Sequence, residues 1–269
     1  MNRGRPPFAG ASTRLAPPAQ AHPKRMELQV PTPDTLTDAQ LGTSLAAVAE
    51  IRECYRVLAR GGLNIVGEVL RGQGPFYELD HYPKDDVFDA DNASQYYYHA
   101  HRDDHDEHGH FHLFLRDRSL SPQARPVLGP TGSDRVAHVV AIAMDAWGFP
   151  TDLFAVNRWV TDESWLPAAE VIAALDRFQV DHAYPSWPVN RWMGAMVRCF
   201  RPQIEALLLH RDRVVAQSGR PLAEVLEDRS LEVTGSVPVD VEAWAGTLER
   251  EQRRRALTRL PAPERPLAG

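Results

Sequence analysis

Between Gln95 and Arg116 the chain reads QYYYHAHRDDHDEHGHFHLFLR, and histidine recurs there at a spacing of two, as His99-x-His101 and then His108-x-His110-x-His112. A period of two belongs to a β-strand, where alternate side chains share a face. Tyr96, Tyr97 and Tyr98 before the histidines, and Phe111, Leu113, Phe114 and Leu115 after them, suit strands as well. The intervening Arg102-Asp103-Asp104-His105-Asp106-Glu107 is polar and turn-like, so the segment reads as a β-hairpin. With the arms paired symmetrically about that loop, His99 faces His112 and His101 faces His110. Four imidazoles then share one face of two adjacent strands. Opposed Cβ atoms lie about 4.5–5.5 Å apart. That spacing suits a shared metal ion, whose bonds to imidazole nitrogen are about 2.0–2.1 Å. His105 and His108 read as solvated loop residues.

A second hairpin follows. Arg135 to Met144 is an apolar, valine-rich run, residues 145–152 turn, and Leu153 to Val160 return the chain. The expected architecture is therefore α+β: a four-stranded antiparallel meander at about 95–102, 109–116, 135–145 and 152–161. Helices pack on one face and a His-lined pocket occupies the other. If Asp145 pairs with Asp152, His138 opposes Trp159 and Val140 opposes Asn157. The pocket face then reads Tyr97, His99, His101, His110, His112, Phe114, His138, Asn157 and Trp159, with Val140, Ile142 and Met144 beside His138. The covered face reads Tyr96, Tyr98, Phe111, Leu113, Leu115, Val139, Ala141, Ala143, Phe154 and Val156.

The helical cover comes from both sides of the sheet in sequence. Thr37-Asp38-Ala39-Gln40 is a capping box. Leu41, Leu45, Val48, Ile51, Tyr55 and Leu58 then recur at helical spacing until Gly61-Gly62. A shorter helix runs to Leu70, and residues 73–94 read as an irregular loop able to drape over the histidines. Beyond the sheet, 167–178, 188–217 (kinked at Pro202) and 241–260 read as helices. Residues 222–241 suggest a short helix and a short strand. Seven prolines fall within residues 1–34, so this segment reads as a disordered Pro/Arg-rich tail. A single α+β domain spans 35–260, and a second tail spans 261–269.

A net charge of −6 gives no global basic field for nucleic acid. No apolar run approaches a membrane span. Two cysteines, Cys54 and Cys199, make no disulfide framework; buried free thiols fit a reducing, cytoplasmic location. No GxSxG, P-loop or GxGxxG pattern is present.

Neutral imidazoles bind Zn, Fe or Mn. Three of them with an open position would acidify water or hold a substrate oxygen. Two with a carboxylate would make a facial triad for non-heme iron, and His101-Arg102-Asp103 has the HxD spacing of one. Asp103 and Glu107 are the candidate catalytic carboxylates. His99, His101, His110, His112 and His138 are the candidate ligands, and Tyr97, Asn157 and Trp159 line the substrate pocket. The expected function is a mononuclear metal-dependent enzyme, a hydrolase or an oxygenase, acting on a small molecule. The alternative is a non-enzymatic metal- or haem-binding protein.

Two resemblances bear on this. His108-Gly109-His110-Phe111-His112-Leu113-Phe114 resembles the signature of histidine-triad nucleotide hydrolases and transferases, which implies that His110 attacks an α-phosphate. The sequence departs from that pattern at Gly109 and Phe111, and it lacks the upstream glycine-rich loop. Over residues 37–245 the chain resembles a bacterial family to which no activity is assigned. That resemblance is carried by YYYHAHR, EHGHFHLF and HVVAIAMDAWGFPTDLFAVNRW.

Overall fold

In the computed structural model, residues 28–100 and 107–259 are described. His101, Asp103 and His105 lie outside the described residues, as do the outer parts of both expected tails.

Helix α1 (Asp38–Arg60) starts where the capping box places it: Thr37 Oγ1 accepts from Gln40 N, and the Gln40 side chain accepts from Thr37 N at 2.8 Å. Gly62, at φ +69°, closes it. Helix α2 (Ile65–Leu70) is capped by Asn64, whose Oδ1 accepts from Gly67 N at 2.7 Å.

Six strands follow the chain in order across one antiparallel sheet: β1 (Tyr82–Asp89), β2 (Ser94–His99), β3 (Gly109–Arg116), β4 (Val136–Met144), β5 (Pro150–Val156) and β6 (Val233–Pro238). The expected four-stranded meander is thus the middle of a wider one. β1 comes from the segment read as a loop. Its pairing with β2 is interrupted between Tyr82 and Val87, and an edge strand tolerates Pro83 as a central one would not. β6 pairs with β5 on the other edge.

Besides the β4–β5 pair, where Asp152 meets Ala143 and not Asp145, two registers differ from expectation. β2 and β3 pair His99 with His110 and Tyr97 with His112, two residues away from the symmetric pairing. The loop ends have other partners: Ala100 O accepts from Leu79 N at 2.9 Å, and His108 N donates to Met144 O at 2.8 Å. Gly109 is obligatory here, because a Cβ would stand 2.5 Å from Tyr98 Oη and 2.7 Å from His99 O.

The second difference is a β-bulge in β4. Leu113 pairs with Val140 but Phe114 pairs with His138, leaving Val139 as the extra residue. Val139 and Val140 both enter the helix-side core, and the alternation changes phase there. His138 stays on the histidine face, but its companions are Ala141 and Ala143, while Val140, Ile142 and Met144 face the helices. Phe154 and Val156 follow Ala141 and Ala143 to the histidine side. The expected face assignment therefore holds on β2 and β3 and inverts beyond the bulge.

The remaining helices are α3 (Arg158–Thr161), α4 (Ala168–Ile172), α5 (Trp187–Cys199), α6 (Arg201–Ala216), α7 (Leu222–Leu226) and α8 (Val241–Thr258). The expected long kinked helix is the pair α5 and α6, which break at Phe200, just before Pro202. Trp192, Met193 and Met196 of α5, Leu207 and Leu208 of α6 and Ile51 of α1 share a core with Tyr96, Phe111, Leu113 and Ile142 of the sheet. Each large side chain buried there contributes about 1.5–3 kcal/mol. Tyr96 Oη donates to Asn190 Oδ1 at 2.6 Å, and Asn190 Nδ2 donates to the carbonyls of His182 and Tyr184. One amide thus ties sheet, helix and the connector before α5.

Candidate metal centre

The side of the sheet away from α5 carries the histidines. His99 ends β2, and His110 and His112 lie on β3. All three are buried, His110 and His112 fully. Each can offer one ring nitrogen such that the three ligand atoms lie within 4.8 Å of one another. Ring centroids are 4.5 Å apart for His99–His110, 5.1 Å for His99–His112 and 4.9 Å for His110–His112.

The protons of the cluster follow from its partners. Glu107 Oε1 accepts a short hydrogen bond from His110 Nδ1–H. His110 Nε2 lies 2.8 Å from His99 Nε2, and one of the two nitrogens carries the proton they share. In a tetrahedral site with bonds of about 2.0–2.1 Å, ligand nitrogens stand about 3.3 Å apart. A small opening of the pair would admit an ion. His112 Nδ1 lies 3.0 Å from His138 Nε2. Burial, first, and the Arg211 charge, second, hold His138 down to about 3, so its imidazole is neutral.

His138 is itself tied from behind. Its backbone N–H donates to Glu163 Oε2 at 2.7 Å. Glu163 is fully buried, and that burial pushes its carboxyl up to about 7, against the lowering effect of Arg211 and of the His138 bond. Its Oε1 has no hydrogen-bond partner among the described residues. The strand partner of this turn is a strap through Gly129, at φ +95°; a Cβ there would stand 2.3 Å from Glu163 O.

The wall of the site is aromatic. The Tyr97 ring lies 5.3 Å from His99 and 5.2 Å from His112. Phe154 meets His110 edge-on at 5.2 Å, and Phe114 lies 5.3 Å from His138. Burial keeps the Tyr97 phenol protonated.

Of the residues expected from sequence, His99, His110, His112, His138, Glu107 and Tyr97 come together. Asn157 and Trp159 do not, because β5 ends at Val156. Asn157 caps α3 and donates from Nδ2 to Val225 O at 2.7 Å. Trp159, on α3, donates to Leu231 O and lies under the Arg229 guanidinium. Other residues join the site, the first from the segment expected to drape over the histidines. His81 stacks on Tyr97 with centroids 3.6 Å apart and bonds through Nδ1 to Asp86 Oδ1 at 2.9 Å. Phe154 and Glu163 also belong here. A lone HxxxxD spacing gives no warning of the first pair, and the phase change in β4 hides Phe154.

The model of a domain of unknown function, DUF6969, matches residues 45–239. The chain belongs to that family. The DUF6969 match takes in every strand of the sheet and all the described site residues. It agrees with the resemblance to a family without assigned activity, and it brings no support for a histidine-triad enzyme. No curated protein and no solved structure matches the chain. Among the described residues no helix is long and apolar enough to cross a membrane. Both cysteines are buried and free.

Proposed function

We propose that the chain holds one divalent transition metal, Zn, Fe or Mn, on His99, His110 and His112, and uses it as a mononuclear catalytic centre for a small-molecule substrate. The observation that carries this reading is the convergence of three buried imidazoles with ligand nitrogens within 4.8 Å. Burying three imidazoles against one another is costly unless their nitrogens are satisfied, and an ion satisfies all three together.

The surroundings support it. Ligating histidines usually send their other ring nitrogen to a carboxylate or a second polar group, which fixes the tautomer. Glu107 does this for His110 and His138 does it for His112. With Nδ1 engaged, His112 would coordinate through Nε2. In this reading His138 stands behind a ligand instead of being one. Three protein ligands leave a position for water or a substrate oxygen, whose acidity the ion raises. Zinc there would favour hydrolysis. Iron would favour oxygen chemistry, with His101 and Asp103 as the nearest further donors in sequence.

The test is metal content after mild dialysis, followed by reloading with Zn, Fe or Mn. About one equivalent per chain, with a rise in melting temperature on loading, is the expected result. A protein that retains no metal and gains no stability from any of the three ions removes the reading. The full burial of His110 and His112 also suits a closed, non-enzymatic metal site. Saturation of every coordination position by protein would favour that second reading.

A further inference from the structure

The three candidate ligands are graded in exposure. His110 and His112 are fully buried, and His99, at the end of β2, keeps 8 % of its surface open. An ion bound by three such imidazoles has to shed most of its water on the way in. Beside His99 stands a fourth imidazole, on the solvent side. His81 lies just before β1 with 40 % of its side chain exposed. Its ring centroid is 5.7 Å from that of His99. Imidazoles thus run inward from solvent as His81, then His99, then His110 and His112.

His81 is held in one pose. Its ring lies flat on Tyr97, with centroids 3.6 Å apart and planes 9° from parallel. Its Nδ1 meets Asp86 Oδ1 at 2.9 Å. Asp86 takes φ +57° in the interrupted part of β1, a left-handed conformation that aspartate tolerates better than most residues. Its other oxygen accepts from Gln95 Nε2 at 2.6 Å, and Gln95 Oε1 accepts from Arg116 Nη1 at 2.8 Å. Three side chains, one each from β1, β2 and β3, therefore stand behind one imidazole. Solvation alone asks for no such backing. Metal ligation does: a carboxylate on Nδ1 fixes the tautomer, leaves Nε2 with the lone pair of the neutral ring and raises its basicity. Nε2 of His81 has no partner among the described residues.

We infer that His81 is an outer binding site for a hydrated divalent transition-metal ion, which it takes from solvent and passes to His99 and so to the buried triad. This rests on the metal reading above and concerns the route to the centre. Nε2 of His81 replaces one water on the ion, and His99 replaces the next; each exchange releases a water and leaves the charge unchanged. His81 is no ligand of the filled centre, since it does not belong to the group whose ligand atoms converge within 4.8 Å. A residue on the path lowers one barrier for entry and exit alike. It changes both rates and leaves the equilibrium alone.

Cobalt(II) gives the readout, through the visible absorption that appears on ligation. Uptake is followed by stopped-flow mixing with the full chain stripped of metal. Release is followed on the loaded chain with an excess of chelator. His81→Ala should slow uptake and release about tenfold each, equal to about 1.4 kcal/mol in the barrier, with the cobalt content and affinity of the wild type. His81→Phe keeps a ring on Tyr97 without a nitrogen and should be slowed to the same degree. Faster uptake in His81→Ala overturns the inference, because the side chain would then only cover the mouth. Wild-type rates in either variant overturn it too. A loss of cobalt at equilibrium like that of His99→Ala also overturns it, because His81 would then be a resident ligand. In each of these cases the metal site stands. A wild type that takes up no cobalt removes the metal reading and this inference with it.

Discussion

His110 links Glu107 through Nδ1, His99 through Nε2 and Phe154 at its edge, and His112 meets Tyr97, His99, Phe114, His138 and Phe154. Substituting either should therefore do the most damage. His99→Ala, His110→Ala and His112→Ala should each abolish retention of metal through dialysis. Glu107→Gln and His138→Ala should weaken binding about 10–100-fold without abolishing it, as expected for groups behind the ligands; isothermal titration with zinc separates the two classes. If His138→Ala proves as severe as His112→Ala, His138 coordinates directly. Glu163 supplies a pH test. Its folded carboxyl titrates at about 7 and its unfolded one at 4.5, so between those values the folded state holds a proton that the unfolded state has released. Stability then falls as pH rises from about 4.5 to about 7, with a total effect of order 3 kcal/mol. Glu163→Gln should remove that fall, as read from denaturant midpoints across the range. The depressed pKa of His138 acts in the opposite sense and is common to both proteins. At this scale the spacing of the β3 histidines made His110 and His112 legible, because strand alternation needs nothing but the backbone. Glu163 was not legible, since it joins the site through a loop contact that no local pattern encodes; of His81 only the draping of residues 73–94 over the histidines was readable, and not its stack on Tyr97.

At the scale of elements, periodic and capped segments were readable and irregular ones were not. α1 announces itself by its capping box and apolar spacing, and the break between α5 and α6 by Pro202. The sheet was half readable. β2 and β3 carry enough aromatic and histidine alternation to assign both faces, yet their register depended on what binds the loop ends. Beyond Val139 the inference inverted, because a bulge adds one residue and turns every later side chain over. β1 escaped notice because prolines and aspartates are tolerated on an edge that makes half its ladder bonds. Asn190 is the joint between these elements. Asn190→Ala would leave Tyr96 Oη and the carbonyls of His182 and Tyr184 without their amide partner in a buried place. The expected cost is about 2–4 kcal/mol, measurable by chemical denaturation. Tyr96→Phe, which removes the hydroxyl while leaving Asn190 its other bonds, should cost less.

At the scale of the whole molecule, the two ends of the described chain meet. Arg255 of α8 donates to the carbonyls of Pro33 and Leu36 at 3.1 and 2.8 Å, and pairs with Asp38 at the start of α1. We expect Arg255→Ala to lower the melting temperature and to open residues 28–36 to limited proteolysis. A chain beginning at residue 28 should melt as the full one does. The meander has a kinetic consequence. Every strand pairs with the next one in the chain, so from β1 to β5 the sheet can grow hairpin by hairpin, through contacts of short sequence separation that form early. The helical layer cannot. α1 packs against α5, which leaves the ribosome more than a hundred residues later, and β6 closes the sheet only after α6 has been made. During synthesis the histidine hairpin would thus exist before its helical backing, and an ion captured at that moment would serve as a template on which the rest of the chain completes itself.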